Sequence, residues 1–277
     1  MFFLILAIAS SVSISLFLRL TKDRIGSDTA RFTGNYAVCA LLSRLYMGAW
    51  PAQEEGMTFA LWLGILSGVF FLGAFLLLNR SIALNGVALS STFMKMGVLV
   101  PTLMAVLFFH ERFTGVKLAG FILALIAILL MKERGASSSS QRHFLLLLAL
   151  LLTGGAADSF VNIYERLGTP ACADAYLLFT FLSALLITAV LAFRDRKNIR
   201  ATDLLYGAVL GIPNYYSSRF LLHALKTLPA VTVYPVYSVS VLLLVTLGGV
   251  LLFRERLSKQ KWAALALILP ALLLLNL

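Results

Sequence analysis

The sequence predicts an all-α polytopic membrane protein with ten transmembrane helices, arranged as two inverted five-helix repeats. Three observations predict this fold class: the apolar composition, ten long apolar segments and a short motif that occurs twice. Apolar residues make up 60 % of the 277-residue chain and charged residues 13 %, and the mean hydropathy is +0.93. Soluble domains contain about 45–50 % apolar and about 25 % charged residues, so the composition excludes an ordinary soluble domain.

Ten segments are long and apolar enough to be predicted as spans, since a helix needs about 20 mostly apolar residues to cross a bilayer. The connections are short and leave no room for a separate soluble domain. Long apolar runs favour helices, because the strands of a membrane barrel alternate in polarity every second residue. The approximate ranges are 2–19, 30–49, 58–79, 86–109, 114–132, 144–163, 173–193, 203–222, 229–252 and 259–276.

A four-residue motif marks two related halves of the chain. Phe109–Arg112 reads FHER and Phe253–Arg256 reads FRER, and each precedes an apolar segment. The two motifs are 253 − 109 = 144 residues apart, about half the length of the chain. We therefore predict a first five-helix repeat at 1–132, a Ser-rich linker at 133–143 and a second repeat at 144–277.

Basic residues are unevenly distributed among the connections. The odd-numbered connections and their flanks carry sixteen Lys and Arg residues, and the even-numbered ones carry five. Cytoplasmic loops are enriched in basic residues, so we predict cytoplasmic odd connections, outward-facing termini and a location in the cell (inner) membrane. This asymmetry accounts for the net charge of +11, and we expect no nucleic-acid partner.

These features resemble the EamA-type members of the drug/metabolite transporter superfamily over nearly the whole chain. An Ala-Leu pair at 83–84 and again at 224–225 opens the fourth helix of each half, and a Glu-Arg motif precedes each fifth helix. The family usually has glycine before that glutamate, where this chain has His110 and Arg254. The family is also usually drawn with cytoplasmic termini, the reverse of what the loop charges indicate.

The resemblance implies secondary active transport of a small metabolite by alternating access around a central cavity. The cavity would be bounded by segments 1, 3, 4, 6, 8 and 9. The expected partners are the lipid bilayer, protons and a small polar substrate such as an amino acid, a nucleoside or an organic anion. A monomer is compatible with this prediction. No P-loop occurs, and two cysteines and three histidines lack metal-ligand spacing, so we expect no enzyme activity, cofactor or metal.

Ionisable side chains inside a bilayer cost at least ~2.5–3.5 kcal/mol on insertion scales, so each indicates a function or a partner. Lys95 lies in the fourth segment, with Ser91 and Thr92 on the same side of the helix. We interpret these three residues as substrate-binding, with Lys95 attracting a carboxylate, a phosphate or another anion. Alternatively, Lys95 pairs with an acidic residue and holds helices together.

The sixth segment contains Asp158, with Asn162 one turn later. A carboxylate in a low-dielectric cavity can bind and release a proton near neutral pH. We therefore predict Asp158 as the proton-coupling group and Asn162 as a substrate ligand. The alternative is a structural pair of Asp158 with Lys95 or Arg219.

The eighth and ninth segments supply the remaining candidates. The Gly-Ile-Pro run at 211–213 loosens the backbone of the eighth segment, so Asn214 and Tyr215 are predicted to contact substrate, unless the run is a plain kink. In the ninth segment Tyr237 and Ser238 share one helix face and are predicted to line the pocket.

Several features are interpreted as structural. Tyr234 lies on the same face, or belongs to an interfacial aromatic belt. The GxxxG pairs at 64–68 and 207–211 predict close helix packing. Glu111 and Glu255 are predicted to cap the helices that follow them or to pair locally with arginine.

Two other functions are compatible with parts of the sequence. A multidrug exporter for lipophilic cations would use Asp158 and the tyrosines, but Lys95 in the cavity would repel its ligand. A membrane-embedded enzyme would require clustered catalytic groups at one membrane face, and no such cluster or GxSxG motif occurs.

Overall fold

The computed structural model describes residues 1–21, 24–51, 54–85, 87–130, 141–194, 199–253 and 258–277. Within these ranges the chain forms eleven α-helices and no β-strand, and a 3-10 turn at Pro170–Cys172 precedes α8. The all-α class is therefore confirmed. The helices are α1 (Phe2–Thr21), α2 (Asp28–Met47), α3 (Met57–Asn85), α4 (Val87–Met96), α5 (Leu99–Leu107), α6 (Gly115–Leu130), α7 (Gln141–Leu167), α8 (Ala173–Arg194), α9 (Ala201–Leu225), α10 (Ala230–Phe253) and α11 (Lys259–Asn276).

Helical structure occurs in each of the ten predicted segments, and the fourth segment is divided into α4 and α5. The count of ten spans and the inverted repeat remain predictions. In the described part of the chain, five helical stretches are long and apolar enough to cross a membrane by length and composition. They are Phe2–Thr21, Met57–Leu78, Phe144–Leu167, Pro170–Arg194 and Ala230–Leu252.

The division of the fourth segment follows from Gly97 and Pro101. Pro101 has no N–H, so the Gly97 carbonyl instead accepts a hydrogen bond from the Val100 nitrogen at 3.0 Å. Such i→i+3 bonds tighten the chain and separate α4 from α5. In contrast, α9 is continuous from Ala201 to Leu225 with Pro213 inside it. The helical interruption thus lies in the fourth segment, whereas the sequence had suggested the eighth.

The helices form two compact units. The first comprises Met1–Leu72 and Phe160–Lys226, and the second comprises Gly73–Ser159 and Thr227–Leu277. Each unit takes helices from both halves of the sequence, and α3 and α7 contribute to both units. The two predicted repeats remain a prediction, and most of the predicted linker at 133–143 lies outside the described residues.

Glycines bring helices of the first unit into backbone contact. A methyl group on Gly207 of α9 would overlap the carbonyl oxygen of Arg31 on α2, and one on Gly211 would lie 2.6 Å from that of Asn35. The pair at 64–68 on α3 is packed in the same way against α8. The prediction that both GxxxG pairs serve close helix packing is confirmed.

A buried carboxylate holds the start of α2 against the start of α9. Asp203 accepts hydrogen bonds from the backbone nitrogens of Gly26 at 3.0 Å, Ser27 at 3.2 Å and Arg200 at 3.1 Å. A negative charge at a helix N-terminus is stabilised by the unpaired N–H groups and by the helix dipole. Sequence pattern alone does not indicate this role for Asp203, because its partners across the unit lie more than 170 residues away.

In the second unit, Glu111 caps a helix far along the chain. Its two carboxylate oxygens accept hydrogen bonds from the backbone nitrogens of Ala230 at 3.1 Å and Val231 at 2.9 Å. Glu111 therefore caps α10, a helix that the sequence pattern does not indicate. Capping of α6 and local pairing with Arg112 stay predictions. Glu255 lies outside the described residues.

The residue before Glu111 explains the glycine that the resemblance leads one to expect. His110 has a φ of 52°, in the left-handed region that glycine adopts without steric cost. Its side chain is exposed. The unusual backbone angle turns the chain between α5 and α6, just before the capping carboxylate.

We predict that His110→Gly stabilises the protein by about 1 kcal/mol, because it removes the steric cost of a side chain at positive φ. The midpoint of thermal unfolding in detergent should rise by about 2–4 °C. His110→Ala is the matched control and should give no increase, since alanine keeps a Cβ. A rise with alanine equal to the rise with glycine would contradict the backbone explanation.

We also predict that Gly207→Ala destabilises the protein by about 1–3 kcal/mol, because the added methyl group overlaps the carbonyl of Arg31. Gly154→Ala is the control within a helix, since no atom lies within 4 Å of a Cβ at that position. It should leave stability unchanged or raise it by up to about 1 kcal/mol. Equal unfolding midpoints for the two variants would exclude tight packing at Gly207.

Candidate functional site

Lys95 lies in the last turn of α4, immediately before the division of the fourth segment. Its backbone carbonyl accepts a hydrogen bond from the nitrogen of Val98 at 3.3 Å. A cation in the last turn of a helix is favoured by the negative end of the helix dipole. The side chain is half-buried, so the helix end partly offsets the cost of removing this charge from water.

The division between α4 and α5 lies directly against α7. A methyl group on Gly97 would lie 3.1 Å from the backbone nitrogen of Gly155, and one on Gly155 would lie 2.5 Å from the carbonyl oxygen of Gly97. Neither residue has a side chain, and this allows the two backbones to touch. The contact fixes where α4 ends relative to α7.

This glycine contact brings two predicted site residues together in the second unit. Lys95 precedes Gly97 by two residues, and Asp158 follows Gly155 by three. Both side chains are half-buried, and each lies within range of the other's charge. Opposite charges attract more strongly where water is scarce. Arg219, the other partner considered for Asp158, instead forms an ion pair with Asp174 at 2.7 Å.

Tyr234 of α10 is a member of this site that the sequence left ambiguous. Its hydroxyl donates a hydrogen bond to the backbone carbonyl of Asp158 at 2.7 Å, and its side chain is 1 % exposed. The aromatic-belt interpretation of Tyr234 is wrong, because a buried ring bonded to α7 does not lie at a lipid interface. Tyr237 and Ser238, further along α10, are half-buried.

Of the remaining candidates on α4 and α7, the structure describes the side chain of Asn162 only. The side chains of Ser91 and Thr92 lie outside the described part of the chain. Asn162 belongs to the first unit and is 1 % exposed. Neither its amide nitrogen nor its amide oxygen has a hydrogen-bond partner among the described residues. A buried amide without partners indicates a bound water or ligand group.

Asn214 and Tyr215 of α9 both have partners inside the first unit. The Asn214 amide nitrogen donates to the Asn35 side-chain oxygen at 3.2 Å. Tyr215 is fully buried and accepts a hydrogen bond from Arg219. The guanidinium of Arg219 also lies 4.4 Å from the centre of the Tyr46 ring, a cation–π contact.

Sequence reasoning did not identify this arginine network. The ion pair joins positions 45 residues apart, and Tyr46 contributes from the opposite half of the chain. Composition and helical periodicity carry no information on such pairings. Among the described residues, no group of three His, Cys, Asp or Glu side chains is placed to hold a metal ion.

Comparison with known proteins assigns the chain to a family. Residues 141–277 match the EamA-like transporter family. A Haemophilus influenzae protein described as uncharacterized is 24 % identical over 283 residues, covering 97 % of this chain and 95 % of that protein. A crystal structure shares the fold with a TM-score of 0.75 at 16 % identity, covering 99 % of this chain and 98 % of the other.

The matched family consists of transporters and not of enzymes. The apolar helices of this chain, together with the family match, identify a multi-pass membrane protein. The chain is an EamA-type member of the drug/metabolite transporter superfamily.

Proposed function

We propose that the protein is a secondary active transporter of a small polar metabolite, coupled to protons through Asp158. Amino acids, nucleosides and organic anions are the candidate substrate classes. The observation that carries the proposal is the placement of Lys95 beside Asp158 at the glycine contact between α4–α5 and α7. The carrier alternates between two access states around a central cavity.

The proposed coupling between substrate and proton arises because Asp158 and a substrate anion compete for the positive charge of Lys95. While Asp158 is ionised, it offsets the charge of the ammonium group. A substrate anion that binds Lys95 competes with Asp158 and favours protonation of its carboxylate, because two anions near one cation repel each other. Substrate binding and proton binding thereby favour one another, and thermodynamic linkage makes this effect reciprocal.

Helix pairing within each unit supports the two-repeat architecture on which alternating access depends. In the first unit α2 packs against α8, which are the second helices of the two halves. In the second unit α5 packs against α10 and α6 against α11, again corresponding helices of the two halves. Repeats related by a twofold axis can place corresponding helices together, so these pairings support two related halves.

The remaining candidates stay within the proposal as substrate contacts. Asn162 has the best support, because its buried amide has no partner among the described residues. The others are Ser91, Thr92, Asn214, Tyr215, Tyr237 and Ser238. The loop charges support a cell inner-membrane location with outward termini. Export of lipophilic cations is disfavoured, since the ammonium of Lys95 offsets the carboxylate that would attract them.

The proposal is tested in proteoliposomes with an imposed pH gradient, using labelled amino acids, nucleosides and organic anions as separate probes. We expect the gradient to accelerate uptake of at least one of them above protein-free vesicles. Equal flux for every probe with and without the gradient would refute proton-coupled metabolite transport.

We predict that Lys95→Ala raises the half-saturation concentration for an anionic substrate about tenfold, because one charge-assisted contact is lost. Initial uptake rates over a range of substrate concentrations provide the measurement. Lys259→Ala is the matched control, since that lysine is exposed at the start of α11, and its kinetics should stay unchanged. Unchanged kinetics in Lys95→Ala would remove Lys95 from the site.

We predict that Asp158→Asn abolishes the response of uptake to the pH gradient, since the amide cannot bind and release a proton. Exchange of substrate across the vesicle membrane at equal pH should persist. Glu55→Gln serves as the control, because Glu55 is exposed between α2 and α3. A gradient response equal to that of the unaltered protein would show that Asp158 is structural.

A further inference from the structure

A chain of contacts connects the Glu111 turn to the proposed site within the second unit. The carboxylate of Glu111 binds the first two backbone nitrogens of α10 with two hydrogen bonds. Tyr234 follows Ala230 by one helical turn and donates its hydroxyl to the carbonyl of Asp158 at 2.7 Å. The position of Glu111 in the α5–α6 loop therefore determines the position of α10, and α10 in turn contacts Asp158, the residue proposed to bind the proton.

The loop is itself fixed in place. The backbone nitrogen of Glu111 donates to the carbonyl of Ala105 at 3.0 Å, and the positive φ of His110 turns the chain immediately before it. Lys117 of α6 donates its ammonium to the Thr232 hydroxyl at 3.1 Å. The first turn of α10 is therefore held from two directions, by a carboxylate on its amides and by a cation on its side chain.

The start of α10 is held by two hydrogen bonds to a charged carboxylate, which an ordinary exposed helix start does not need. Water or a Ser side chain can satisfy the first amides of an exposed helix. Here one carboxylate spans 119 and 120 residues of sequence to reach two successive amides. Charge-assisted bonds are shorter and stronger than neutral ones, so the rotation and height of α10 are set by the α5–α6 loop.

We infer that Glu111 is a positioning residue for the transport site, which orients Asp158 through the first turn of α10 and Tyr234. This inference rests on the proposed function for its meaning in transport, since Asp158 is the proposed proton-binding group. The structural part of the inference does not depend on any substrate. Weakening the hydrogen bonds of Glu111 should make the position of Asp158 less fixed.

The test uses the full-length protein in detergent and dicyclohexylcarbodiimide, an apolar reagent that modifies protonated carboxyl groups. The rate of adduct formation at Asp158 is followed by mass spectrometry for the unaltered protein, Glu111→Gln, Tyr234→Phe and the double variant. Glutamine keeps one acceptor and removes the charge. Phenylalanine removes one hydroxyl and leaves the α10 cap in place.

We expect each single substitution to raise the labelling rate of Asp158 about threefold or more, because each breaks the same chain of contacts. The double variant should label at the rate of the faster single variant, since coupled residues are not additive. The rate at Asp174, in the first unit, is the internal reference and should stay constant, which a general loss of structure would not allow.

Three outcomes would overturn the inference. They are Asp158 labelling that is absent or equal in all four proteins, single effects that multiply in the double variant, and a parallel rise at Asp174. If Glu111→Gln does not fold, Tyr234→Phe alone must still raise the rate at Asp158. Labelling needs no transport, so missing pH-gradient-driven flux would refute the proposed function and leave this result to stand.

Discussion

The approach of two backbones at Gly97 and Gly155 is the constraint on which the candidate site depends. Residues with side chains would keep α7 and the α4–α5 division further apart. The approach places Lys95 and Asp158 where each reduces the cost of the other's charge. A charge alone in a membrane is expensive, and a pair that shares hydrogen bonds and protein dipoles is tolerated.

The same principle recurs at other charged groups of the two units. Asp203 lies on backbone amides at the starts of two helices, and Glu111 on the first amides of α10. Arg219 is matched by Asp174 and by aromatic rings. Each of these described side chains has a specific partner that offsets its desolvation. Asn162 differs, since its buried amide has no partner among the described residues, and this contrast supports a ligand role.

Much of the fold could be predicted from sequence because a bilayer imposes a helix length. Apolar runs of about 20 residues located most helix ends to within a few residues, but α3 continues to Asn85, beyond the predicted end at 79. The helix division at Gly97 was visible in principle, since Pro101 four residues later removes a backbone donor. The Gly-Ile-Pro run at 211–213 is the stronger signal in the sequence, but the helix continues through it.

The site was predictable only in part, because local pattern does not encode which distant residues meet. A charge within an apolar segment is sufficient to single out Lys95 and Asp158, and a structural pair between them is one of the alternatives that the sequence leaves open. Tyr234 and Glu111 required the structure, since their partners lie 76 residues away or more. A loop glutamate shows from sequence that it needs amides, but not which helix supplies them.

The charge pair itself is tested most directly by a thermal-unfolding cycle with Lys95→Met, Asp158→Asn and the double variant in detergent. Removing one partner of a buried pair costs about 3–5 kcal/mol, while replacing both is often close to neutral. We expect a lower midpoint for each single variant and a recovery towards the unaltered protein in the double variant. Losses that add in the double variant would show that the two charges do not stabilise each other.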